Sequence, residues 1–137
     1  MGAAIEILQA AQQRAVAIRP RVGGFPYLAE VLRLAGVTHN RWFLPACMSL
    51  FLTKNGPVVI QGTPLLSGPV DVPSFDETAL IAALCTDQAG NSTFSEFLEA
   101  TWRAGIVRYE VDFTARTCTY YGCNDEHYVE SYPAVSL

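Results

Sequence analysis

A chain of 137 residues, half of them hydrophobic and 16% charged, has the size of one core and is too apolar to be disordered. Its net charge is −4, and its nine Lys and Arg are scattered rather than gathered into the basic patch that phosphate recognition needs, which argues against nucleic acid as a partner. No apolar run reaches membrane length and no secretory leader is visible, so the expectation is one cytoplasmic domain over residues 1–137, away from membranes, with its four cysteines reduced.

Residues 3–18 have the spacing of an amphipathic helix, with Ile5, Leu8, Ala11, Ala15 and Ile18 on one side. Pro20 stops it, because the residue before a proline is pushed out of the helical region. After Arg21-Val22-Gly23-Gly24, Pro26 suits a first helical turn, and a second helix runs to Ala35 with Gly36 at its end. Three strands follow at 38–44, 48–53 and 58–61, the last two joined by the hairpin signal Asn55-Gly56. Residues 62–74, rich in Pro and Gly, form a connector whose Leu65, Leu66 and Val70 suggest packing. A third helix is expected from Ser74, with Ser74 and Glu77 as a capping box and Leu80, Ile81 and Leu84 inward. Cys85, beside Leu84, is expected in the core. Thr93 and Glu96 form a second capping box for a helix with Phe94, Phe97, Leu98, Thr101 and Trp102 inward and Gly105 as its stop. Strands at 106–113, 117–121 and 127–132 complete the chain. In the first of these Arg108, Glu110 and Asp112 alternate with apolar residues, so one face meets a core and the other water.

A shift of 69 residues lays one half on the other: Phe25 meets Phe94, Glu30 meets Glu99, and Ala35-Gly36-Val37 meets Ala104-Gly105-Ile106. The fold class this implies is α+β, with helices packed on an antiparallel sheet and two helix-helix-strand-strand-strand half-repeats over 5–62 and 74–132. Residues 5–53 and 74–122 should superpose.

Few residues carry chemistry. Cys118, Cys123 and His127 have the spacing C-x4-C-x3-H, but with one thiol inside a strand and no fourth ligand they point to no metal, and no cofactor is implied. No G-x-S-x-G is present, and Cys47 and Cys85 sit among apolar neighbours, so no nucleophile stands out. Asp125, Glu126 and Glu130 read as solvated residues around a hairpin turn. The best ligand candidate is an anion site at Arg19, Arg21, Gly23 and Gly24, where two guanidinium groups and flexible backbone precede a helix N-terminus. The plainer alternative is a solvated interhelical turn. Tyrosines concentrate in the last strands, and an aromatic left outside the core can mark an interface.

The runs Gly23-Gly24-Phe25-Pro26-Tyr27-Leu28-Ala29-Glu30, Leu34-Ala35-Gly36-Val37, Gln61-Gly62-Thr63-Pro64, Phe94-Ser95-Glu96-Phe97, Trp102-Arg103-Ala104-Gly105-Ile106 and Val111-Asp112-Phe113 resemble a family of small bacterial and prophage-borne proteins often labelled "phage envelope protein", otherwise a domain of unknown function. The resemblance covers nearly the whole chain. It implies a single α+β domain of this length and no assigned catalytic residue.

The resulting expectation is a soluble, non-catalytic binding or interaction domain, phage- or stress-associated, that forms a homodimer, with residues 128–132 as a candidate edge strand. The alternative is a small enzyme with its site in the cleft between the half-repeats.

Overall fold

The computed structural model describes residues 2–137. Two helices, α1 (Ala3–Ile18) and α2 (Phe25–Leu34), lead into three strands, β1 (Val37–Phe43), β2 (Met48–Thr53) and β3 (Val58–Gln61). The pattern then recurs as α3 (Glu77–Gln88), α4 (Phe94–Arg103), β4 (Ile106–Asp112), β5 (Thr117–Gly122) and β6 (His127–Ser131). The strands form one antiparallel sheet in the order β3-β2-β1-β4-β5-β6, and the helices pack on one of its faces. This is the α+β fold read from the sequence. The sheet stays open, with β3 and β6 as its edges.

The backbone geometry is consistent with two half-repeats. At the centre Arg41 of β1 lies opposite Glu110 of β4, and these residues are 69 apart. Phe43 pairs with Met48 in the first half as Asp112 pairs with Thr117 in the second. Both hairpins carry a bulge at the same step, between Val37 and His39 and between Ile106 and Arg108. Left-handed backbone recurs in pairs at the same interval: Gly36 with Gly105, Cys47 with Arg116, and Gly56 with Asp125. Across the seam the Leu44 N–H donates to Val107 O at 2.9 Å, and its counterpart Phe113 N–H donates to Thr38 O at 3.0 Å. The correspondence slips by one residue in the outer strands, where Met48 faces Gln61 but Thr117 faces Ser131.

The halves lie side by side in the sheet and are interlocked on its helix-covered side. Phe25 of α2 packs edge-on against Tyr132 from the second half at 5.2 Å, and Phe94 of α4 packs edge-on against Trp42 from the first at 5.3 Å. The two interhelical turns meet as well, through Gly23 N–H to Gln88 O and Arg21 Nε to Gly90 O. The core runs through both halves, from Leu8, Ala15, Val37 and Leu44 to Leu80, Ile106 and Phe113. The connector crosses one end of the sheet, tied by Leu65 N–H to Pro45 O and Asp76 N–H to Ala104 O. Leu65 and Leu66 are half-buried there, whereas Val70 is exposed.

Several local expectations need correction. The third helix starts at Glu77, not at Ser74, and its cap is Asp76, whose side chain accepts from Ala79 N–H. The bond from Asp76 N–H to Ala104 O holds Ser74 and Phe75 in the extended connector, so Ser74 cannot cap. The buried side of α3 is Leu80, Ala83 and Leu84, which leaves Ile81 and Cys85 exposed. One residue along a helix is a turn of about 100°, enough to carry Cys85 off the face that Leu84 occupies. Phe94 is about half exposed despite its contact with Trp42, and Ile18, at the end of α1, is exposed. The Thr93–Glu96 capping box is present in full. Gly36 and Gly105 end α2 and α4 with positive φ, at +99° and +85°.

Candidate functional site

The helices leave the second face of the sheet open. Side chains alternate along each strand, so the row holding buried Asn40 and Phe51 faces the helices and its neighbours face outward. One outward row crosses all six strands as Val59, Leu50, Arg41, Glu110, Thr119 and Val129. A second runs Gln61, Met48, Phe43, Arg108, Tyr121 and His127. Leu52, His39, Asp112 and Thr117 begin a third.

This face is unusual in its mixture. In the row of Arg41 its two edges are apolar, and Val59 (61% exposed) and Val129 (51%) stand in solvent there, as do Phe43 (45%) and Met48 (40%) nearer the centre. Its centre is a band of paired charges. Arg41 Nε lies 3.5 Å from Glu110 Oε1, Arg108 Nη1 lies 3.4 Å from the same oxygen, and His39 Nε2 lies 3.6 Å from Asp112 Oδ2. Arg108 also covers the Tyr121 ring, 3.7 Å from its centroid. Both guanidinium groups meet Glu110, Asp112 meets His39, and Arg108 also reaches Asp125 Oδ1 at 3.6 Å, so charges of both signs are mixed, with Arg41 and Arg108 offsetting Glu110 and Asp112 at the centre. Pairs this exposed contribute little stability, ~0–1 kcal/mol each. Their arrangement matters more: β1 presents His39 and Arg41, and β4 presents Asp112 and Glu110 alongside them.

The helix-covered side holds the remaining polar groups. Gln88 Nε2 donates to Glu130 Oε1 at 2.9 Å, and Ser92 Oγ donates to Asp87 Oδ1 at 3.3 Å. Burial raises the pKa of both the Asp87 and the Glu130 carboxyl above its ordinary value, and Glu130 is half-buried rather than the solvated residue expected from its place near a turn. Below them Tyr109 stacks on Trp42 at 6.0 Å and leans against Tyr120 at 5.7 Å, and burial drives both phenols well up. Burial also pushes the Cys118 thiol up to about 12 and raises that of Cys47. A nucleophilic cysteine requires the opposite shift, so neither thiol is activated.

The anion-site candidates lie at the junction of the interhelical turns. Arg19, Arg21 and Gly23 are exposed and Gly24 is half-buried. Gly23 spends its N–H on Gln88 O at 3.0 Å, and Arg21 spends its Nε–H on Gly90 O at 3.2 Å. One acceptor, Gln88 O, is at the carbonyl-rich end of α3, and the other, Gly90 O, is in the turn just beyond it. Pro26 takes a further donor from the first turn of α2. Cys118 and His127 project to opposite faces of the sheet, and among the described residues no three His, Cys, Asp or Glu gather as metal ligands. The alternation of Arg108, Glu110 and Asp112 already marks the water-facing side of β4 in the sequence, but the partners His39, Arg41 and Phe43 that the register sets beside them are not legible there.

Residues 14–131 match a family described as "Protein of unknown function (DUF1398)". The chain is also similar to the uncharacterized proteins Rv2012 and MT2067 of two Mycobacterium tuberculosis strains and Mb2035 of Mycobacterium bovis. Each is 56% identical over 135 residues, a span of 98% of this chain and 82% of the relative. The resemblance to a domain of unknown function is thereby confirmed, and the phage envelope label finds no support in these names.

Proposed function

We propose, for a chain that belongs to the DUF1398 family of proteins of unknown function, a non-catalytic role: it is a cytoplasmic interaction domain that self-associates through the outer face of its sheet. The observation that carries this reading is the outer face, open across six strands, apolar at both edges of the Arg41 row and charge-balanced at its centre. Burying a surface of one sign against a copy of itself would leave like charges in contact, whereas a balanced one can meet itself without that cost. The buried, raised-pKa thiols of Cys47 and Cys118 speak against a cysteine nucleophile at either position, and four unpaired cysteines suit a reducing compartment.

Six strands about 4.8 Å apart and roughly five residues long offer on the order of 500 Å² per copy. That lies near the lower limit for specific interfaces, so association in the micromolar range is expected. Sedimentation equilibrium from about 1 to about 100 µM tests it. The weight-average mass should climb from 14.9 kDa toward twice that value. A mass that stays at the single-chain value throughout would refute the reading.

A further inference from the structure

We infer that two copies meet face to face about a two-fold axis parallel to the strands, directly above the β1–β4 seam. The inference rests on the self-association just proposed and specifies its geometry. Rotation about that axis carries β1 of one copy over β4 of the other without changing position along the strands. Arg41 then faces the partner's Glu110 and His39 faces the partner's Asp112, because each pair already shares a register position within the sheet. Phe43 faces the partner's Arg108, a guanidinium against an aromatic ring. In the same row as Arg41, the Val59 edge comes over the partner's Val129 edge, apolar on apolar.

The other in-plane axis, at right angles to the strands and above the Arg41–Glu110 row, stacks that row like on like, although it brings Arg108 over the partner's Asp112. It sets Arg41 over the partner's Arg41 and Glu110 over the partner's Glu110. Charge therefore selects between the two arrangements. Twist spreads the corners of stacked sheets apart, so contact is closest at the seam and the Arg41 and Glu110 positions dominate the choice. In a two-fold interface each contact occurs twice, so one substitution acts at two places.

Single charge reversals test this. Arg41→Glu leaves carboxylates at both seam positions, and Glu110→Arg leaves guanidinium groups at both. Each variant alone should dimerise at least about tenfold more weakly than the unaltered protein, since both contacts between position 41 and the partner's position 110 become like-charge contacts. Mixed in equal amounts they should form a one-to-one heterodimer. The Arg41→Glu chain brings carboxylates to both seam positions and the Glu110→Arg chain brings guanidinium groups, so opposite charges meet at both contacts. Neither chain regains its internal Arg41–Glu110 pair in the mixture, so restored association cannot come from repair of folding. Circular dichroism checks that each variant is folded, and analytical ultracentrifugation with one chain fluorescently labelled reads the pairing. Dimerisation of both variants at the unaltered affinity, or failure of the mixture to associate, would overturn this register while leaving self-association through another surface, such as the β6 edge, in place. A monomeric unaltered protein would instead remove the reading on which the register rests.

Discussion

Gly36 and Gly105 occupy the same step of the two halves, yet their replacement by alanine should have unequal consequences. Both have positive φ, where an L side chain costs ~1–2 kcal/mol. At Gly36 an added Cβ would meet only side-chain atoms of Lys54 and Asn55, the nearest being the Lys54 Cβ at an ordinary 3.5 Å. At Gly105 it would meet backbone: Ser74 O at 2.5 Å and Phe75 Cα at 2.7 Å. The connector would have to move, straining the bond from Asp76 N–H to Ala104 O (2.8 Å), a loss of about 0.5–1.5 kcal/mol, and displacing half-buried Phe75. Gly36→Ala should therefore cost about 1–2 kcal/mol and Gly105→Ala about 3 kcal/mol. For a domain of this size that corresponds to a fall in Tm of roughly 4–8 °C against about 12 °C. Urea titration, with its slope monitored, provides the free energies independently of the thermal scan. Equal losses at the two positions, or a larger loss at Gly36, would refute the argument that the connector's backbone presses on Gly105.

Two further predictions concern burial. In native protein a disulfide-exchange reagent should modify Cys85 and Cys123 quickly and Cys47 and Cys118 only on unfolding; rapid modification of all four, or of none, contradicts the exposure pattern. Asp87→Asn and Glu130→Gln should stabilise the protein relative to the unaltered chain more at about pH 7 than at about pH 4. Each carboxyl has a folded pKa raised by burial, so the folded state holds its proton longer than the unfolded state, and stability falls as pH rises through that interval. The amides do not ionise and escape the loss. Urea titrations at both pH values check this, and a variant that gains at the lower pH instead reverses the sign.

Much of the local structure is legible in the residues. The Thr93–Glu96 box, the stops at Gly36 and Gly105 and the turn at Asn55-Gly56 all act within a few residues, where dihedral preference and capping dominate. The 69-residue correspondence is visible as well, because the Ala-Gly stop and the strand after it are local features repeated in order. The cap of α3 is not legible, because the decisive partner of Asp76 N–H, the Ala104 carbonyl, lies 28 residues along the chain. The place of Cys85 is hidden for a related reason. A helix with apolar residues around most of its surface does not reveal which stripe its neighbours will cover.

By itself, then, the sequence determined the elements, their order, their stops and the pairing of consecutive strands, since each follows from interactions between residues close in the chain. The tertiary structure alone decided that β1 and β4 meet antiparallel at the centre, with Arg41 opposite Glu110. It also decided that each half sends an aromatic side chain across to the other, and that one sheet face is covered while the other stays open. Alternation marks the water-facing side of β4 through Arg108, Glu110 and Asp112, but in strands with apolar residues on both sides, such as β2 and β3, it does not say which side will be covered. That choice depends on where the helices settle, and so on burial summed over contacts between residues far apart in the chain.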